Sequence, residues 1–493
     1  MLAKMLSQKA LGLLRQWQAL ANWRDLSQLR GKQAPKDQPK DQKPKGNAKP
    51  TTSTADDSKV PEGMLSSTKS VFGPLVDCDR IFQNLYGRHD WRLEGARKRG
   101  DWHRTADLIK MGPDWIMGEV KRCGLRGRGG SGYYAGHKWE YLRKVQAKGK
   151  VLIVNCAEGE PGTCKDREIL RHEPHKIIEG CLLAGCAMGC ERCIVYVRNR
   201  FYNEACNLQL ALAEAYRCGL IGCNSCETGV KLDIIVQRGD RYLTGEETAL
   251  VNCLMGKLAR PRRRPPFLHE QGYFDHPCVV VNTETLAVLP TVLRRGAVWF
   301  TSLGSDKNFG TKLFCISGHV VNPCTVEEEM SMPLRNIIER HAGGVCGGWD
   351  NLLAVWPGGL SAPLIGAACA GQVLMDFDHL SAAGSELGTA AIIVISKDCD
   401  PLLVMQHSIE FFMDQTCKQC TPCRDGAIWL PELFSSFVKG EAVPQMIEFV
   451  EIIRKKMENS TICGLCDSQA NLAGSLIQHF RPLIEARILQ YAN

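Results

Sequence analysis

Nowhere do the 493 residues approach the ~20 consecutive apolar positions that a membrane-spanning helix requires, so any membrane association has to come through a partner. The compact apolar core of a secretory signal is missing as well. Net charge is missing from most of the chain. The first fifty residues hold eleven Lys/Arg and three Asp, which accounts for the whole formal charge of +8. A polyanion-binding domain carries its basic excess on a folded surface. Here the excess sits on a leader and a linker, which argues against nucleic acid as a partner.

Twenty-four cysteines are present in abundance. Disulfide scaffolds are short chains behind a secretory signal, and this chain is neither. Reduced thiols together with a metal cluster are expected. The length and the composition, 44% hydrophobic and 23% charged, suit a globular protein of two to four domains.

Leu2, Leu6, Ala10, Leu13, Trp17 and Leu20 recur at helical spacing, with Lys4, Gln8, Arg15, Gln18 and Asn22 opposite them and no acid before Asp25. A surface helix would look similar. The polar, Pro- and Lys-rich tract that follows favours a mitochondrial targeting leader over residues 1–30. That tract buries too little apolar area to offset the entropy of ordering, and predicts a disordered linker over 31–67.

From 68 to 310, strand-like and helix-like segments alternate. The strand candidates are Val151–Val154, Ile194–Val197, Leu232–Val236 and Val279–Val281, and the helices are around His175–Met188 and Asn203–Tyr216. This alternation predicts a largely parallel sheet covered on both faces. Four loops carry candidate chemistry. Gly124–Gly132, followed by Lys138, offers backbone amides and cations to a phosphate. Its register is neither the dinucleotide G-x-G-x-x-G after a strand nor a Walker A sequence, and a glycine-rich turn would read the same. Asn155–Thr163 leaves the first strand at its carboxyl end, where open α/β sheets place ligands. Tyr242–Thr248 puts Glu246 and Glu247 at a helix start, which the helix dipole alone would favour. Asn282–Thr285 follows the last strand of the group.

Cys417-Lys418-Gln419-Cys420-Thr421-Pro422-Cys423 is the strongest chemical signal. Two successive C-x2-C steps bring three thiolates onto one loop, and a fourth from elsewhere completes a cubane iron–sulfur cluster. Cys463 and Cys466, in Thr461-Ile462-Cys463-Gly464-Leu465-Cys466, both compete for that place. Between the loops and this run, Leu313–Gly318, Leu352–Val355 and Ala391–Ile395 read as strands and Leu334–His341 as a helix, a small α+β domain over 311–400. Ser408–Met413 and Met446–Met457 read as amphipathic helices within 401–493.

Taken in this order, the loops and the cysteine run resemble the flavoprotein subunit of respiratory complex I and of related soluble NADH-oxidising enzymes. The likeness runs from about Phe72 to Leu489, through phrases such as Asn84-Leu85-Tyr86-Gly87-Arg88-His89-Asp90-Trp91-Arg92-Leu93. It implies a Rossmann-like α/β domain binding FMN and NADH, a ubiquitin-like spacer, and a helical bundle carrying a [4Fe-4S] cluster. Gly127, Arg128, Gly129, Gly130 and Lys138 would hold FMN and NADH, with Asn155, Glu158, Gly245, Glu246, Glu247, Asn282 and Thr285. Glu158, Glu160 and Tyr242 would stand closest to the reacting rings. Tyr133, Tyr141 and Phe267 would flank the NADH adenine. The cluster ligands would be Cys417, Cys420, Cys423 and Cys463. The implied setting is the matrix side of the mitochondrial inner membrane. The implied partners are other complex I subunits, above all a small [2Fe-2S] 24 kDa-type subunit and the large iron–sulfur subunit.

Departures from the family pattern are equally specific. Gly132-Tyr133-Tyr134-Ala135-Gly136 stands where Gly-Phe-Pro-Thr-Gly is usual, and Ala157 replaces an aspartate. Arg238-Gly239-Asp240-Arg241-Tyr242 is one residue short and lacks a glycine. These changes are expected to weaken or retune nucleotide binding without removing the fold. The rival readings are a catalytically weak structural paralogue, the flavin subunit of a soluble hydrogenase or formate dehydrogenase, and, more remotely, a nucleic-acid- or zinc-binding adaptor. Cys190/Cys193 and Cys223/Cys226 form two C-x2-C pairs; buried small thiols are the expected state, with zinc the alternative.

Overall fold

The computed structural model describes Met64, Leu65, Lys69 and residues 72–492. The expected leader and nearly all of the expected linker lie outside the described residues. Met64 and Leu65, assigned to that linker by composition, pack against the first hydrophobic core, and the Leu65 amide donates to the Arg122 carbonyl at 3.1 Å.

Five strands form the first sheet: β1 (Val151–Cys156), β2 (Arg192–Arg198), β3 (Gly222–Ser225), β4 (Val230–Gly239) and β5 (Cys278–Asn282). Their order is β3-β4-β2-β1-β5, parallel throughout except for the edge strand β3. β1 reads Val-Leu-Ile-Val as a continuous apolar run because helices cover both of its faces. Its helical neighbours are α1 (Ala135–Lys144), α2 (Lys165–His172), α3 (Pro174–Met188), α4 (Tyr202–Arg217), α5 (Glu247–Leu254) and α6 (Thr283–Arg295). In α3 even His175, Lys176 and Glu179 are buried. Polar side chains tolerate that position only when paired. Lys176 meets Asp101 at 2.6 Å, and Glu179 takes Thr105 and Arg294 at 2.6 Å each.

From β1 the chain travels to β2 and β4 on one side and returns to β5 on the other. The strand order therefore reverses between β1 and β5, and in an open α/β sheet this reversal opens a crevice at the carboxyl ends. Asn155 and Asn282 stand opposite each other in register there.

A second five-stranded sheet follows: β6 (Thr311–Gly318), β7 (Cys324–Glu329), β8 (Leu352–Trp356), β9 (Ile365–Gly366) and β10 (Ala391–Ser396), in the order β9-β8-β10-β6-β7. The helix α7 (Leu334–Ala342) packs on it through Leu334, Ile337 and Ile338, and the short helices Ala367–Ala370 and Phe377–Ala382 add Ala370 and Leu380 to the same core, giving the ubiquitin-like α+β arrangement. The remainder is four helices: α8 (Pro401–Gln415), α9 (Thr421–Lys439), α10 (Gln445–Met457) and α11 (Leu465–Ala492). Phe412, Leu430, Phe434, Val450 and Leu476 fill their common core. No helix among the described residues is long and apolar enough to cross a membrane.

Candidate active site and iron–sulfur region

The crevice between β1 and β5 gathers most of the predicted nucleotide-binding residues. Asn155 is the last residue but one of β1, its side-chain oxygen accepting from the Ala157 amide at 2.9 Å and its amide group donating to the Thr244 carbonyl at 3.3 Å. Asn282 ends β5 and caps α6, accepting from the Glu284 amide at 3.0 Å. The glycine-rich loop lies across both. The Arg128 amide donates to Thr285 Oγ1 at 2.8 Å, the Gly127 amide to the Tyr133 carbonyl at 2.8 Å, and a Cβ on Gly129 would stand 3.2 Å from Asn282 Cβ. Gly130 has φ +130°, a conformation that side-chain-bearing residues rarely adopt. Arg128 is buried, and burial lowers the proton affinity of its guanidinium. Its Nε has no hydrogen-bond partner among the described residues. Its other two nitrogens reach the Phe309 carbonyl at 3.4 Å and the Met330 sulfur at 3.6 Å. A buried guanidinium with one donor left over, beside a glycine cradle, suits a phosphate-bearing cofactor.

The other predicted residues meet in pairs. Glu160 accepts from Tyr242 Oη at 2.8 Å and from the Ser361 amide and hydroxyl at 2.7 and 2.9 Å. Burial raises the proton affinity of this carboxyl, against the pull of those donors. Tyr242 lies edge-on to Phe411 and Phe412 of α8, at 5.1 and 6.1 Å between ring centres. Lys138 pairs with Glu247 and donates to the Val280 carbonyl at 2.7 Å. Tyr141 and Phe267 each stack on His269, at 5.4 and 5.6 Å between ring centres. Tyr133 rests in the glycine-rich loop. Gly245 ends a short 3-10 turn that leads to Glu246, the N-cap of α5, whose carboxylate accepts from Ala249 and also pairs with Arg264 at 2.7 Å. Glu158 (φ +38°) is turned the same way: its carboxylate takes the Asp166 and Arg167 amides at 2.6 and 3.0 Å and caps α2. Two hollows, of 540 and 380 Å³, lie against α4 and α3 and are lined by none of the predicted nucleotide or cluster residues.

The cysteine run turns into α9. Lys418 takes φ +60°, which folds the chain back between Cys417 and Cys420, and Cys420 is the N-cap of the helix. Cys417, Cys420, Cys423 and Cys463 belong to one apolar cluster, which also holds Tyr242 and Leu243 of the third loop. Burial pushes the Cys463 thiol up to about 12, reinforced by the nearby charges of Glu246, Cys417 and Cys423. Cys423 faces Thr416 Oγ1 at 3.1 Å and shares a hydrogen bond with the fully buried Cys466. As the side chains stand, no three Cys, His or carboxylate groups among the described residues lie close enough to hold one ion. Four thiols in and around one bundle core are nevertheless a donor set of cubane type.

Residues 120–291 match the Nuo51 FMN-binding domain, 312–394 the SLBB domain, and 403–487 the NADH-ubiquinone oxidoreductase-F iron–sulfur binding region. The chain is 51% identical to NADH dehydrogenase [ubiquinone] flavoprotein 1, mitochondrial, of Dictyostelium discoideum, over 90% of its own length and 92% of the relative's. It belongs to the 51 kDa flavoprotein 1 family of complex I. The mitochondrial 51 kDa NADH-ubiquinone oxidoreductase chain of Neurospora crassa is 50% identical, covering 86% of this chain and 87% of that one. An NAD+-reducing [NiFe]-hydrogenase shares the fold at TM-score 0.72 and 30% identity, covering 80% of this chain and 67% of its own. The hydrogenase is thus the more distant likeness, and complex I the better-supported reading.

Within this flavoprotein 1 family member, the departures have local explanations. Ala157 is buried with Leu250 and Val251, where a methyl needs no partner. Asp240 pairs with Arg198 and Arg200 at 3.0 and 3.2 Å, so its charge is locally balanced, and Arg198 also donates to the Glu158 carbonyl at 3.0 Å. Cys190 and Cys193 are buried in the first core, Cys226 is half-buried and Cys223 exposed.

Sequence reading missed a buried ionic network below the crevice. Lys165 meets Asp166 at 2.7 Å and Glu284 at 3.0 Å, and Lys312 meets Glu284 at 3.4 Å, all of them essentially inaccessible. Burial would raise the Glu284 carboxyl, but Lys312, Lys165 and Arg128 overcome this and hold it down at about 2. Burial lowers Lys312 to about 8. The charged residues directly after the Asn155–Thr163 and Asn282 loops were the available signal. Ser361 and His269 carried none.

Proposed function

We propose that the β1/β5 crevice orients the nicotinamide of NADH against FMN and that the four thiols of the bundle pass the electrons on. FMN, when bound, accepts two electrons together from NADH and releases them singly to a [4Fe-4S] cluster. The chain's own residues bind, align and exclude water. Gly127–Gly130, Arg128 and Thr285 would hold the flavin phosphate, and Asn155 and Asn282 the edge of its ring. Lys138, Glu246 and Glu247 would take the polar parts of NADH, and Tyr133, Tyr141 and Phe267 its adenine. Glu160, fixed by Tyr242 and Ser361, would position nicotinamide. Glu158 would act indirectly, by holding the loop to α2. Cys417, Cys420, Cys423 and Cys463 would ligate the cluster.

One observation carries this reading: Tyr242 and Leu243 of a nucleotide loop and all four thiols pack in or against the same bundle core, which would set the two cofactors side by side. Assembly with a small [2Fe-2S] 24 kDa-type subunit and the large iron–sulfur subunit, on the matrix face of the inner membrane, is part of the same proposal. So are the domain limits 68–310, 311–400 and 401–493. Visible spectra of the purified chain before and after NADH test it. Flavin bleaching with cluster reduction is expected; iron without flavin would overturn the catalytic reading in favour of a structural paralogue.

A further inference from the structure

Where the crevice loop Asn155–Thr163 runs into α2, a cysteine meets one from the second sheet. Cys164 closes the Asn155–Thr163 loop as the N-cap residue of α2, and its backbone amide lies 3.4 Å from Cys315 Sγ in β6. Cys164 Sγ lies 3.0 Å from Oγ1 of Thr325 in β7, the residue that stands opposite Cys315 in register across the sheet. Cys315 is buried, whereas Cys164 is only partly covered. This is the arrangement of an attacking and a resolving thiol. One sulfur is reachable and set among donors; the other is hidden and lies against the same residue's backbone amide, that of Cys164. The neighbouring Cys315, helped by Thr325 and Arg167, lowers the Cys164 thiol to about 6, while Cys315 is raised. A thiolate is the nucleophilic form of cysteine.

We propose that Cys164 and Cys315 form a peroxide-sensitive dithiol that closes to a disulfide joining the end of the flavin loop to the second sheet. The Cys164 thiolate attacks hydrogen peroxide, an S–O bond forms, the O–O bond breaks, and hydroxide leaves to be protonated to water. Cys315 then attacks the sulfenic sulfur. An S–S bond forms, the S–O bond breaks, and a second water departs with the Cys315 proton. Two thiols lose two electrons and one peroxide gains them. Cys324 is the competing partner on β7, but its Sγ points to the His341 carbonyl at 3.6 Å. The bridge would pin the first turn of α2, which carries Lys165 and receives the Glu158 carboxylate.

The proposal goes beyond the nucleotide reading and is tested without it. The full-length chain is titrated with hydrogen peroxide, alkylated, digested without reduction and examined by mass spectrometry. A linked Cys164–Cys315 peptide should accumulate before the exposed Cys218 and Cys223 lose their alkylation, and dithiothreitol should reverse it. In Cys315→Ser the link should vanish and dimedone should label Cys164. A Cys164 that stays alkylatable while Cys218 and Cys223 oxidise, or that links first to Cys324, overturns the proposal. The wild-type titration decides by itself if the variant fails to fold.

Discussion

Glu284 illustrates how single residues set the stability of the crevice floor. It has no exposed surface, faces Lys165 and Lys312, and accepts from the Leu313 amide at 3.0 Å. Breaking a buried pair strands the remaining charge, so Glu284→Gln should cost about 3–5 kcal/mol, read as a lower urea midpoint with unchanged slope. Its folded pKa of about 2 lies below the ordinary 4.5. Its stabilisation is therefore complete above pH 4.5 and is lost as pH falls towards 2. The acid limb of the stability profile should flatten in the variant; a limb as steep as wild type would show that Glu284 is not its source. Ser361→Ala removes one donor from Glu160, which burial already raises. The apparent pKa on the acid side of the NADH turnover profile should move upward, and a fixed profile would detach Ser361 from the reaction.

At the scale of elements, caps and junctions matter more than propensity. Asn282 starts α6 and also receives Lys165 at 3.1 Å. Asn282→Ala should cost about 0.5–2 kcal/mol through the lost cap and weaken FMN retention after gel filtration. Retention equal to wild type would mean that the cap serves the helix alone. Phe412, fully buried on α8, holds the bundle against Tyr242. Phe412→Ala should cost about 3–5 kcal/mol and detach the bundle first, seen as protease cleavage after residue 400 while the first sheet stays intact. Uniform cleavage along the chain would refute that junction. The strands were legible at this scale because they are buried apolar runs bounded by turn residues, as at Val151–Cys156. The carboxylates of Glu158 and Glu246 were less so. The sequence places both among nucleotide residues, and the structure also engages both at helix N-termini, where unpaired amides attract any nearby anion.

For the whole molecule, FMN links the loops that the fold gathers. Saturation at one hundred times its dissociation constant should add about 2.7 kcal/mol of stability, visible as a higher melting temperature. Riboflavin, which lacks the phosphate, should give clearly less if Arg128 and the glycine cradle hold that group. Equal shifts would remove the phosphate from the argument, and no shift with either would remove the flavin. The sequence by itself determined the family, the strand–helix alternation, and the cysteine run with its second thiol pair. Those signals are local: spacing, burial pattern and turn residues within a few positions. Tertiary structure alone decided that Ser361 would reach Glu160 across 201 residues and that Cys315 would reach Cys164 across 151. It also decided that Asp240 would find Arg198, and that Cys423 would face Cys466. Such pairings follow from how two sheets and a bundle pack, and no short-range pattern encodes which side chains the packing will bring together.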